Sequence, residues 1–92
     1  MKGLSLFANV GIAETYLAST GIDIVVANEL LAQRCRRYSE MYPDCQMICG
    51  DITDPHIYQT VYQQSLKHKV YFVIATPPCQ GMSIAGKMQD AT

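Results

Sequence analysis

The sequence predicts an α/β fold, an open parallel sheet with helices on both faces, and three observations lead there. Short runs rich in β-branched and other apolar residues alternate with stretches of helical period. The last run, "VYFVIAT" (Val70–Thr76), is apolar throughout, as a parallel strand covered on both faces requires. Capping and turn residues separate the runs, which gives about four strands and three helices in strict alternation.

The elements follow in order. "GLSLF" (Gly3–Phe7) is a short strand broken by "ANVG", and a helix runs from Ile12 to Thr20 with Gly21 as its C-terminal cap. "DIVVAN" (Asp23–Asn28) is the second strand, and Asn28 is a good N-cap for a helix from Glu29 to Met41. That helix stops ahead of Pro43, because the residue before a proline avoids helical geometry. "CQMIC" (Cys45–Cys49) is a third strand, closed by Gly50 and Asp51. Asp54 followed by Pro55 marks a helix start, a capping side chain before a proline at the first helical position. From there Ile57, Tyr58, Val61, Tyr62 and Leu66 recur at helical spacing and are expected to face the core. Val70–Thr76 is the fourth strand.

Composition narrows the function classes. The chain is 49% hydrophobic and 16% charged, which suits a packed core and excludes disorder. Seven Lys and Arg stand against eight Asp and Glu, and the dense basic group is limited to Arg34, Arg36 and Arg37. A strong nucleic-acid binder needs a broader basic surface, so this stretch alone does not read as one. No apolar run approaches the roughly 20 residues that span a bilayer, and no secretory signal is legible, so the expected location is the cytoplasm. Cys35, Cys45, Cys49 and Cys79 form no C-x-x-C pair and fit no zinc spacing with His56 and His68; reduced thiols and no metal are expected.

Right-handed crossovers in such a fold bring all strand ends to one rim, where ligands bind near the reversal of strand order. The four ends are "ANVG", "ANE", "GDI" and "TPPCQG". The first turn aims backbone N–H groups and a helix end at a polar ligand, although it lacks G-x-G-x-x-G spacing and Gly11 would equally serve a tight turn. Glu29 can accept bonds from ribose hydroxyls, or simply favour a helix N-terminus. Asp51 can accept from an adenine amino group while Ile52 covers the ring, or act as a turn residue. Two prolines fix the backbone ahead of Cys79 and hold its thiol out as a nucleophile. The alternative is a buried cysteine that caps the strand.

Together these residues resemble the amino-terminal part of the cytosine-5 DNA methyltransferases. "LSLFANVG" is similar to that family's first motif, "VVANE" to its ribose-binding strand end, "GDIT" to its adenine-binding segment and "PPCQGMSIAGK" to its catalytic Pro-Cys-Gln loop. The resemblance covers the whole chain in order. It implies a partial Rossmann-like domain of the S-adenosylmethionine-dependent methyltransferase type over residues 1–92, with S-adenosylmethionine as cofactor. Phe7 would then pack against the adenine, the backbone around Ala8, Asn9 and Gly11 would meet the methionine part, and Leu30 would cover the adenine's other side. Glu29 becomes the ribose ligand, and Asp51 with Ile52 the adenine ligands. Pro78 would border the methyl-transfer site, Cys79 would attack cytosine C6, and Gln80 and Ser83 would open the mobile loop that closes on DNA. The target base must leave the stack for this to happen.

Two departures from the family pattern stand out. Asn9 replaces its first glycine, and asparagine tolerates the left-handed backbone such a turn demands. Ile12 stands where a second adjacent glycine is usual and narrows the pocket. The family's later motifs, with its acid partner, its arginine-bearing motif and its recognition region, do not occur before Thr92. The expectation is therefore a fragment, a truncated gene or half of a split enzyme, inactive alone, meeting double-stranded DNA through the other part. Its strand Val70–Thr76 would lie at an edge and invite self-association or a complementary subunit. Two other readings stay open: a methyltransferase for cytosine in tRNA, and a non-catalytic nucleoside-binding or interaction module.

Overall fold

In the computed structural model, residues 1–9 and 11–75 are described, with backbone alone at 12 and 13. Four strands and three helices alternate among them: β1 (Lys2–Leu6), α1 (Ile12–Ala18), β2 (Asp23–Glu29), α2 (Ala32–Met41), β3 (Gln46–Cys49), α3 (Pro55–Lys67) and β4 (Phe72–Ala75). All strand pairs are parallel, in the order β3-β2-β1-β4. The chain steps outward from β1 to β3, then crosses back to place β4 on the other side of β1. Strand order therefore reverses between β1 and β4, which is where such sheets bind ligands. This is a Rossmann-like α/β sheet, as the alternation of elements predicts.

Each face of the sheet carries its own core. Ile24, Ala27, Tyr38 and Cys45 pack with Ala8 under α1 and α2, while Leu4, Val26, Ile48 and Val61 pack under α3. The alternation of side chains along a strand explains the split, since Val26 and Ala27 point to opposite faces. Asp54 caps α3 as expected: its Oδ1 accepts the His56 N–H at 2.8 Å, with Pro55 at the first helical position.

Several boundaries differ from expectation, each for a local reason. Glu29 stays in β2, paired in register with Cys49, so α2 begins at Ala32 rather than Glu29. Asn28 is not a cap. It is 3% exposed, and its Nδ2 donates to the carbonyls of Ile48 and Gly50 at 2.8 and 3.0 Å, fastening β2 to the end of β3. Helix α1 ends at Ala18 because the hydroxyls of Ser19 and Thr20 donate back to the Tyr16 and Leu17 carbonyls, and Gly21 then turns left-handed at φ 83°. Strand β4 lies at an edge of the described sheet, as expected of the Val70–Thr76 run, but it starts at Phe72 and is not covered on both faces, with Val73 56% exposed. The stripe on α3 is only partly buried. Val61 faces the core and Ile57 half does, whereas Tyr58, Tyr62 and Leu66 are all more than half exposed, because no element covers that side of α3 among the described residues.

Candidate active site

The rim is built by the ends of β1, β2 and β3, and its centre is Glu29. This carboxylate is 5% exposed, and backbone donors hold both its oxygens. Oε1 accepts the Asn9 N–H at 2.8 Å, and Oε2 accepts the Leu31 N–H at 2.9 Å. One side chain thus fastens the loop after β1 to the start of α2. Of the two roles raised by the sequence, the one ahead of a helix is visible here, since Glu29 accepts the Leu31 N–H just before α2.

The loop after β1 curls tightly. Phe7, Asn9 and Gly11 have φ of 56°, 57° and 85°, so Asn9 does take the left-handed conformation that its replacement of glycine requires. A β-carbon on Gly11 would run into the Tyr42 ring, so glycine is needed there for space as well as for backbone. The loop was expected to aim its N–H groups at a ligand. Those of Ala8, Asn9 and Gly11 are instead engaged within the protein, donating to Asn28 O, Glu29 Oε1 and Ala8 O at 3.0, 2.8 and 3.0 Å. The loop is thus tied to the end of β2 by two amides and closed on itself by the third.

Asp51 follows β3 in a turn beside Glu29, held there by the Gly50 N–H donating to the Glu29 carbonyl at 2.9 Å. Its Oδ1 accepts from the Thr53 hydroxyl and amide at 2.7 and 2.9 Å. These two bonds, the hydroxyl's first, hold the Asp51 carboxyl below the usual carboxylate range. Leu30 is 58% exposed, and Ile52 is half-buried, packed against the core under α3. Ala75 pairs with Leu6, so β4 ends beside the Phe7 loop. Pro78, Cys79, Gln80 and Ser83 lie outside the described residues.

The structure adds residues that the sequence reading passed over. Tyr42 donates its hydroxyl to the Gly11 carbonyl at 2.8 Å and meets the Thr15 hydroxyl at 2.8 Å, bracing the first loop from α2. Tyr38, fully buried one turn earlier, stacks obliquely against it with ring centroids 4.9 Å apart. Burial, then its contact with Cys45, pushes the Tyr38 hydroxyl pKa up, and burial pushes the Cys45 thiol up to about 11. Glu14 is 5% exposed and its carboxylate oxygens meet no hydrogen-bond partner. The four-residue spacing of Tyr38 and Tyr42 was the available signal. Glu14 had none, because the groups that bury it, Gly11 and Tyr38 among them, come from the first loop and a distant helix.

Comparison with known proteins places this arrangement. A model of the family described as C-5 cytosine-specific DNA methylase matches residues 1–92. The chain is 50% identical over 92 residues to the Type II methyltransferase M1.HgaI of Avibacterium volantium, covering 100% of this chain and 26% of that protein. It is 30% identical over 88 residues to the Type II methyltransferase M1.HphI of Haemophilus parahaemolyticus, covering 92% of this chain and 23% of that protein. The chain spans about a quarter of the length of these curated relatives. No solved structure matches it. No helix among the described residues is long and apolar enough to cross a membrane. A family match over the whole length, on a parallel sheet of the kind such enzymes use, decides the matter: the chain belongs to the C-5 cytosine-specific DNA methylase family.

Proposed function

We propose that the chain supplies the S-adenosylmethionine-binding and nucleophile-bearing part of a DNA (cytosine-5) methyltransferase. Beyond family membership, one observation carries the reading: the ends of β2 and β3, followed by Leu30 and by Asp51 and Ile52, lie side by side with Glu29 on the rim of the sheet.

The donor set fits an adenosine. That group presents two ribose hydroxyls, an amino group and two apolar ring faces. Each Glu29 oxygen takes one backbone N–H, so lone pairs remain for hydroxyl donors, and the two Thr53 bonds to Asp51 both fall on Oδ1. Leu30 and Ile52 offer apolar cover. When bound, S-adenosylmethionine supplies a methyl group carried on a positively charged sulfur. Cys79 would add through its sulfur to C6 of a flipped-out cytosine, raising electron density at C5, and would leave by elimination after C5 loses its proton. Tyr42 and Glu29 would keep the first loop in place throughout, from either side.

Because the chain spans about a quarter of its relatives' length, the test uses a protein that joins this chain to the remaining regions of such an enzyme. A duplex containing fluorocytosine should trap a covalent adduct with the Cys79 protein and none with Cys79→Ser. Absence of the adduct despite cofactor binding would sink the enzyme reading in favour of a nucleoside-binding module. Labelled methyl groups entering tRNA but not DNA would move the substrate to RNA. By calorimetry, Glu29→Gln should weaken S-adenosylmethionine binding about tenfold or more, on the scale of a lost charged hydrogen bond. Unchanged affinity in a folded Glu29→Gln protein would remove Glu29 from the site.

A further inference from the structure

Behind the Glu29 rim stand two thiols that the proposed chemistry does not use. Cys35 lies in the first turn of α2, and Cys49 is the last residue of β3. Both point at the end of β2: the Cys35 thiol donates to the Glu29 carbonyl at 3.2 Å, and the Cys49 thiol leans toward the Leu30 carbonyl at 3.9 Å. Those acceptors are consecutive, and Cys49 sits in register beside Glu29, whose carbonyl holds the Cys35 thiol. Their surroundings differ sharply. Cys35 is 5% exposed, whereas Cys49 is open to solvent.

We propose that Cys35 and Cys49 form an oxidisable dithiol, a modification site that closes to an intramolecular disulfide when the chain meets a peroxide. The order of events follows from access. Peroxide reaches exposed Cys49 first; its sulfur displaces water from the peroxide and becomes a sulfenic acid, so sulfur is oxidised and peroxide reduced. The Cys35 sulfur then attacks the Cys49 sulfur. The Cys35 thiol proton leaves with the sulfenic hydroxyl as water, and the S–S bond forms. Burial keeps Cys35 from oxidant in solution and leaves the adjacent Cys49 sulfenic acid as the electrophile within its reach. The same burial, with the neighbouring Cys49, pushes the Cys35 thiol up to about 12, so this closing step should quicken as pH rises. Closure withdraws both thiols from the Glu29 and Leu30 carbonyls and ties the start of α2 to the end of β3. Oxidation would thereby act on the segment that presents Glu29 and Leu30.

The experiment treats the folded, reduced chain with one equivalent of hydrogen peroxide and maps its peptides without reduction. Half of the chain's four thiols should disappear, a cross-link should join Cys35 to Cys49, and dithiothreitol should restore both. Cys45→Ser should leave the cross-link intact. In Cys35→Ala, Cys49 should stop at a sulfenic acid that dimedone captures; should that variant not fold, the wild-type map still decides. Dimedone capture of Cys49 in the wild type without a cross-link would overturn the proposal, and so would a bridge made through Cys45 or Cys79.

Discussion

The two faces of the sheet are built from similar amounts of apolar sequence and finished very differently. Under α1 and α2 the core is closed and wired: Tyr38 is fully buried, Tyr42 braces the Gly11 carbonyl, and Glu29 bridges to Asn9. Under α3 an apolar groove of about 340 Å³ stays open, lined by Leu4, Leu6, Tyr62, Leu66 and Val73 among others. The wired face meets the rim where Glu29 and the first loop sit, and the open face flanks the edge strand β4. Order is concentrated where most buried polar groups find partners, Glu14 excepted, whereas an apolar groove can wait for a covering surface. Changes on the closed face should therefore be costly, and changes on the open face nearly silent.

The largest expected effect is Tyr38→Ala. It empties the centre of the closed face and removes the ring against Tyr42, at a cost of about 3–5 kcal/mol by analogy with other large aromatic truncations. Urea unfolding measures this directly. A cost below about 1 kcal/mol would mean that the face can collapse around the gap, and the contrast between faces would fail.

Alkaline pH probes the same face more gently. Burial raises the Cys45 thiol from 9.0 to about 11, so between those values the folded chain holds a proton that the unfolded chain has released. Stability should be level below pH 9 and fall through that window, by up to about 1.4 kcal/mol per pH unit for each such thiol. Melting temperatures from pH 7 to 11 would show the fall, and Cys45→Ala should make it shallower, leaving the share of the buried Cys35 thiol and Tyr38 hydroxyl. A slope unchanged in that variant would place the titration elsewhere.

What the sequence made legible follows the same division. Strand and helix order, the Asp54 cap, and the place of Glu29 and Asp51 at strand ends were readable because short-range patterns determine them. Asn28 was misassigned as a cap because its alternative partners, the Ile48 and Gly50 carbonyls, lie on another strand. The first loop's amides were expected to be open because sequence shows a turn but not how tightly it closes. Burial along α3 was overestimated for a different reason: helical periodicity reports which residues share a side, not whether anything covers that side. Tyr58, Tyr62 and Leu66 share one and remain exposed.

That last point yields the smallest and sharpest contrast. Leu66 is 61% exposed, so Leu66→Ser should change unfolding stability by no more than about 0.5 kcal/mol, as for other surface substitutions. Its effect should appear in association instead. The residues lining the groove include no charged side chain, and β4 from Phe72 to Ala75 carries neither a charge nor a proline that would block pairing along its free edge. A second copy could therefore cover this face without burying a charge. Light scattering should find the chain self-associated at high concentration, and Val73→Lys, which puts a charge on the exposed side of the edge strand, should shift it toward monomer. A monodisperse monomer in the unaltered chain would show that the open face tolerates water unaided. The two faces would then differ in packing alone, and not in what they require from a partner.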